Sequence, residues 1–191
     1  NDLGLLAEEL DPYSGEQLGN FPQAFSHVGV VTAALAIEAA SRRWGVDLVH
    51  GPLEVAVPTG VSAHFVGSSE DMYRACLRLH ESCDVLIGTA AVSDYRPVQP
   101  LGTKRKRSQE RWTLELEPTR DILGELGRRK GSRVHVGFAL ETDRLLENAR
   151  RKLESKNLDL IVANPAEAIG AETSRYLLLD RAGGLRDLGT L

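Results

Sequence analysis

Apolar and polar positions along the 191-residue chain repeat with two periods, near 3.6 and near 2, and the two alternate from one end towards the other. Val28 to Arg43 is Ala-rich, with Val31, Leu35 and Ala39 on one stripe, which predicts a helix. Short strands are predicted at Val46 to Val49 and at Ala63 to Val66. Ser68, with Asp71 three residues on, has the spacing of a capping box, and the helix it starts should carry Met72, Cys76 and Leu79 inward. Val85, Leu86 and Ile87 then narrow into Gly88, Thr89, Ala90 and Ala91, the pattern of a strand buried on both faces in a parallel sheet. Tyr95-Arg96-Pro97 should interrupt regular structure.

Trp112 to Glu117 alternates as a half-exposed strand should, and Pro118-Thr119 stops it and starts a helix over Arg120 to Lys130, with Ile122, Leu123 and Leu126 facing the core. Val134 to Leu140 is the next buried strand. Thr142 is placed to cap a helix reaching about Ser155, with Leu145, Leu146, Ala149 and Leu153 on its apolar stripe. Leu158 to Ala163 is a further parallel-type strand ending at Asn164-Pro165. Tyr176 to Asp180, Gly183-Gly184 and Leu185 to Leu188 read as a hairpin. Strands alternating with helices predict an α/β fold: a doubly wound, Rossmann-like, mostly parallel sheet with right-handed crossovers and a carboxyl-terminal β-hairpin. Asn1 to His27 stands apart, with turn chemistry at Asp11 to Gly15 and Gly19 to Pro22, no β-rich run and no GxGxxG.

Composition narrows the class. The chain is 42% hydrophobic, 26% charged and 5% aromatic, as expected of a soluble, cytoplasmic globular domain. No apolar run approaches a membrane span, and the net charge of -4 argues against nonspecific nucleic-acid binding. Cys76 and Cys83 lack metal or disulfide spacing, so reduced thiols and no protein-held metal are expected; His50, His64, His80 and His135 read as structural.

Candidate chemistry gathers at predicted strand ends, where open α/β sheets bind ligands. Asp94 follows the Val85 strand, and Lys104-Arg105-Lys106-Arg107 comes ten residues later, so an acid and a cationic loop suggest a nucleotide site. An Asp carboxylate can accept from an exocyclic amine such as that of cytosine, and the ring of Phe138 could pack on a base. Lys152 and Lys156 share a helix face and could meet phosphates; Thr119 to Leu123 offers N–H groups at a helix start. Each has a plain structural alternative: Asp94 a turn-former, Phe138 core, the lysines a solvated face, the basic run a solubility loop.

Five ordered motifs carry a resemblance: AAVSDYRP from Ala90, KRKR from Lys104, RDIL from Arg120, VGFALET from Val136 and KNLDLIVANP from Lys156. Over about residues 35–191 the chain resembles bacterial phosphopantothenoylcysteine synthetase, the carboxyl-terminal half of the bifunctional coenzyme A biosynthesis flavoprotein. The resemblance implies a ligase that joins 4′-phosphopantothenate to L-cysteine through a CTP-derived acyl-cytidylate. Magnesium would accompany the nucleotide, no flavin would bind this half, and the protein would be a homodimer. It further implies that Gly88, Thr89, Ala90 and Asp94 hold the cytosine end. Lys104 would contact the phosphates and stabilise charge in acyl transfer. Arg120, Asp121, Ile122, Leu123, Phe138, Lys152 and Lys156 would complete the nucleotide-binding set.

The start departs from that family. Its opening strand, glycine loop and ISNxSSGKMG stretch are absent, and with them the asparagine that serves the intermediate. Asn1 to His27 instead resembles the carboxyl-terminal tail of a family 15 glycoside hydrolase, with Glu8 matching the catalytic base; glycoside hydrolysis needs a second carboxylate that this tail lacks. The expectation is a foreign segment at residues 1–30, from a fused or misassembled reading frame, joined to a synthetase-like nucleotide-binding domain at 31–191 that lacks its first strand and loop. Catalysis should then be impaired. A noncatalytic CTP-binding or interaction fragment is the alternative, and a glycoside hydrolase remnant a remote one.

Overall fold

The computed structural model describes residues 9–10, 17–18, 44–53, 56–57, 59–90, 92–99, 103, 111–141, 143–165 and 175–190. The expected helix at Val28 to Arg43, the basic run Lys104 to Arg107, Glu8 and the capping Thr142 lie outside these residues. In the first segment a short antiparallel pair joins β1 (Glu9–Leu10) to β2 (Gln17–Leu18), where the sequence pattern shows no strand.

Eleven strands and three helices follow one another among the described residues. After β1 and β2, β3 (Asp47–His50) and β4 (Ser62–Phe65) form a parallel pair. Next come α1 (Ser69–His80), β5 (Val85–Gly88), β6 (Tyr95–Pro97), β7 (Leu116–Pro118), α2 (Ile122–Arg128), β8 (Val134–Glu141), α3 (Leu145–Ser155), β9 (Leu160–Pro165), β10 (Arg175–Asp180) and β11 (Leu185–Thr190). The main sheet has the order β11-β10-β9-β8-β5, parallel across β5, β8 and β9 and antiparallel across the terminal hairpin. This is the α/β, Rossmann-like sheet with a carboxyl-terminal hairpin that the alternation of periods predicts.

All three helices meet the sheet on one face. The register pairs Gly88 with Gly137 and Ala139 with Ala163, and side chains two apart along a strand share a face. On that face Gly88 lies under Leu123 of α2, and His135 meets His80 of α1. Ala139, Ile161, Ala163 and Leu179 pack with Ala149 and Leu153 of α3 and with Leu158. Leu158 fills the space where Gly137 lacks a side chain, 2.5 Å from an ideal Cβ.

The other face is more open than expected. Val85 is 48% exposed and Ile87 41%, so the β5 strand is not buried on both sides. It is the edge of its sheet, and no described strand pairs with its outer side. Met72, Cys76 and Leu79 are half-buried rather than interior, and the positions of α1 that are fully buried are Ala75 and His80. Leu146, expected in the core, is exposed, because α3 turns only Ala149 and Leu153 fully inward.

Local signals hold unevenly. Ser68 caps α1 as expected, its hydroxyl accepting from Asp71 N–H at 3.1 Å and donating to the Asp71 carboxylate at 2.6 Å. The third helix starts at Leu145, after Arg144 in the left-handed region (φ 43°), so it is shorter than a Thr142 start implies. Tyr95–Pro97 is a strand after all, paired antiparallel with Leu116–Pro118. A three-residue edge pair tolerates a proline because its missing N–H can face away from the ladder. The strand expected over Trp112 to Glu117 is correspondingly short, and residues 111–115 have no regular structure.

Candidate functional site

The β6–β7 pair returns the chain to the carboxyl end of β5. There the Thr119 N–H donates to the Asp94 carbonyl at 2.8 Å, and the Thr119 hydroxyl donates to the Ser93 carbonyl. The loop after β5 and the start of α2 are thus stitched together, and Asp94 comes beside residues 119–121, distant in sequence. The Asp94 side chain is exposed.

Asp121 is the N-cap of α2, and its two carboxylate oxygens have separate partners. Oδ1 accepts from Gly124 N–H at 3.0 Å, while Oδ2 is paired with the Lys156 ammonium. Partial burial would raise the Asp121 pKa, but the Lys156 and Gly124 hydrogen bonds outweigh it and hold the carboxyl below its usual range. Gly124 has no room for a side chain, because a Cβ would run into this carboxylate. At the other end of α2, the Asn157 side chain donates to the Gly127 carbonyl at 2.7 Å, so α2 is tied to the end of α3 at both of its ends.

Lys152, on the last turns of α3, donates from Nζ to the Phe138 carbonyl at 2.6 Å. Burial lowers the Lys152 pKa; Glu141 opposes this most, and Asp121 and Asp94 also act to raise it. These three carboxylates thus favour the charged ammonium, against burial and the neighbouring Lys156. Glu141 was not among the expected site residues; a carboxylate closing a buried strand was the signal available for it. It also accepts from the Asn148 side chain at 3.0 Å.

The remaining expected residues divide. Phe138 is half-buried on the sheet face opposite α3, neither plain core nor fully open. Gly88 was expected to let a ligand approach the backbone, but on its Cβ side the space is filled by Leu123, 2.5 Å from an ideal Cβ. Ala90 is exposed and Thr89 half-buried. Arg120 turns away onto α1: its Nε donates to Glu70 at 3.1 Å and its guanidinium lies 5.0 Å from the centre of the Tyr73 ring. Ile122 is buried in the core and Leu123 half-buried. Lys104 lies outside the described residues. Among the described residues no group of three or more His, Cys, Asp or Glu side chains is arranged to hold a metal ion. No helix among them is long and apolar enough to cross a membrane.

Residues 26–190 match the family described as the DNA/pantothenate metabolism flavoprotein C-terminal domain, and residues 1–35 match glycosyl hydrolases family 15. Coenzyme A biosynthesis bifunctional protein CoaBC of Bacillus subtilis (strain 168) is 39% identical over 166 residues, covering 84% of this chain and 40% of that protein. A cysteine/cysteine sulfinic acid decarboxylase from an unknown prokaryotic organism is 37% identical over 163 residues, covering 82% of this chain and 45% of that protein. The chain therefore spans less than half the length of these relatives. Among solved structures, the C-terminal domain of a Coenzyme A biosynthesis bifunctional protein CoaBC superposes with a TM-score of 0.70 at 32% identity, covering 97% of this chain and 82% of that one. The DNA/pantothenate metabolism flavoprotein from Streptococcus pneumoniae shares the fold, with a TM-score of 0.74 at 21% identity, covering 97% of this chain and 89% of that one. With the family matched from residue 26 to residue 190, and a 35-residue glycoside hydrolase match confined to the start, the chain belongs to the DNA/pantothenate metabolism flavoprotein C-terminal domain family.

Proposed function

We propose that this chain is a ligase domain of coenzyme A biosynthesis that joins 4′-phosphopantothenate to L-cysteine through a CTP-derived acyl-cytidylate, and that its turnover is impaired. The observation that carries the nucleotide reading is that the Thr119 N–H bond to the Asp94 carbonyl joins the end of β5 to the start of α2, where Asp121 pairs with Lys156, four residues from Lys152 on α3. In this reading the Asp94 carboxylate accepts from the exocyclic amine of cytosine, with Gly88 to Ala90 alongside, and Phe138 lies against the base. Lys152 and Lys156 meet the phosphates, joined by Lys104, whose charge stabilises the oxyanion of acyl transfer. Arg120 to Leu123 contribute through their backbone, since the Arg120 side chain is engaged by Glu70. Magnesium enters as the counterion of the triphosphate, and this half needs no flavin. The amine of free cysteine attacks the activated carboxyl, so Cys76 and Cys83 have no part; burial pushes the Cys76 thiol up to about 11, which leaves it a poor nucleophile.

The reading of impaired turnover rests on taking residues 1–30 as foreign to a domain at 31–191 without the family's first strand and asparagine loop. The β3–β4 pair and the main sheet are separate, and β3 and β5 each leave one edge without a described partner. In a doubly wound sheet the first strand lies centrally, between its second and fourth. A homodimer is part of the proposal: Tyr95, Trp112, Leu114 and Leu116, on and beside the β6–β7 pair, are exposed apolar side chains suited to a second copy.

Calorimetric titration with CTP, followed by pyrophosphate release on adding 4′-phosphopantothenate, separates binding from turnover. The expected result is CTP binding with little release. Absence of CTP binding overturns the nucleotide reading, and full turnover overturns the impairment. The unpaired edges favour a second reading, a noncatalytic nucleotide-binding or interaction fragment, which predicts that Lys104→Ala leaves every measured activity unchanged.

A further inference from the structure

Lys152 and Lys156 share one helix face, yet their partners differ in charge. Lys152 is held by a neutral acceptor, the Phe138 carbonyl, whereas Lys156 is held by a full negative charge, the Asp121 carboxylate. An anion approaching Lys156 therefore meets an ion pair that is already neutral. The Asp121 side chain is half exposed and that of Lys156 about a quarter exposed, so the pair lies within reach of solvent and of an incoming ligand.

Asp121 can release Lys156 without unfolding anything. Its Oδ1 is committed to the Gly124 N–H and caps α2, and its Oδ2 alone engages Lys156. Gly127 and Asn157 hold the end of α3 against α2 independently, through the 2.7 Å bond from the Asn157 side chain. Exchange of the ammonium from Oδ2 to a ligand oxygen thus costs one ion pair and leaves the cap and the helix packing in place.

We propose that Asp121 is a resident carboxylate that occupies the position on Lys156 which an anionic ligand must take. In this role Asp121 is a specificity-determining residue. A singly charged anion offers Lys156 no more than Asp121 already does, and it is repelled by the Asp121 carboxylate once displaced. A diphosphate or triphosphate brings several charges, spans from Lys156 to Lys152, and wins the exchange. The selected ligand class is polyphosphate over monoanion. The inference deepens the nucleotide reading and rests on it for the statement that the natural ligand is a nucleotide.

The test is calorimetry on the full chain at low salt, with inorganic pyrophosphate, acetate and CTP, for the unmodified protein, Asp121→Asn, Lys156→Gln and the double variant. Asparagine caps helices as well as aspartate does, so the charge is removed while the cap is kept. Asp121→Asn should bind pyrophosphate about three- to fivefold more tightly, the scale of one partly exposed ion pair. The gain should vanish in the Lys156→Gln background, and acetate should bind measurably only once Asp121 is neutralised. If Asp121→Asn does not fold, Asp121→Ser serves as a neutral cap with the same expected gain. Unchanged or weaker pyrophosphate binding, a gain that survives without Lys156, or no pyrophosphate binding by any variant overturns the proposal. Failure of CTP to bind while the pyrophosphate pattern holds removes the nucleotide reading alone. CTP binding with no effect of Asp121→Asn on pyrophosphate removes this inference alone.

Discussion

His80 of α1 and His135 of β8 face each other Nε2 to Nε2 at 2.9 Å, with 4% and 0% of their surfaces exposed. One ring must donate and the other accept, so the pair is stable only while at least one ring is neutral. The cluster around it is cationic: Lys130, Arg133 and Arg129 act on the two rings, and the one carboxylate acting on His135 is Asp159. Asp159 is itself committed, to the Lys130 ammonium and to the His135 backbone N–H at 2.7 Å. Burial first, then the facing His80, hold the His135 pKa down to about 4. Burial lowers His80 as well.

A histidine whose pKa is depressed in the folded state contributes stability above its unfolded value, near 6.5, and that stability is lost as pH falls towards the folded value. Urea unfolding should therefore show a loss on the order of 2 kcal/mol between pH 7 and pH 4.5. Replacing both rings together, His80→Leu with His135→Leu, should flatten that slope. An unchanged slope in the double variant would show that acid sensitivity resides elsewhere.

Gly127 packs so closely on the Lys156 backbone carbonyl that a Cβ cannot be accommodated without moving α2 from α3. Gly88 is opposed by the tip of the Leu123 side chain, which can turn aside. Gly127→Ala should cost about 2–3 kcal/mol and Gly88→Ala less than half of that. Thermal melts of the two variants check the order, and equal losses would contradict the packing argument.

Lys152→Ala removes an ammonium held by the Phe138 carbonyl within the candidate site. Loss of a charge-assisted contact to a phosphate is expected to weaken CTP at least about tenfold. Because the side chain is half-buried rather than solvated, the loss should persist in part at 0.5 M salt, where the Debye length falls below about 5 Å. Titrations at low and high salt check this; a loss abolished entirely by salt would mark Lys152 as part of a diffuse surface charge.

Leu116 is 50% exposed on β7, beside Tyr95 at 60%. If this pair of strands is the contact between two copies, Leu116→Lys should shift the protein towards monomer in sedimentation experiments without lowering its melting temperature. A dimer that withstands the substitution places the contact on another surface.

Much of the fold was legible because its signals are local. The Ser68 cap with Asp71 three residues on needs only one turn of chain, and the Gly183-Gly184 turn needs only its hairpin. Tyr95–Pro97 was not legible, since its strand character comes from pairing with Leu116–Pro118, some twenty residues away. Leu146 and Ile87 were misjudged for a related reason: apolar character does not say whether a neighbour covers it. Within the site, the Lys152 and Lys156 spacing was readable as one helix face, but their partners, a carbonyl of β8 and a carboxylate of α2, were not.

The sequence by itself determined the order and type of the main elements and the family, matched over residues 26–190, while residues 1–35 match glycosyl hydrolases family 15. Periodicity, caps and motifs are properties of neighbouring residues and survive without a fold. Tertiary structure alone decided that Asp94 meets Thr119, that Asp121 holds Lys156, that Arg120 turns onto Glu70 and that His80 meets His135. Each of these joins residues at least 25 positions apart. The charge state and availability of a side chain depend on whichever group packing brings within a few ångströms.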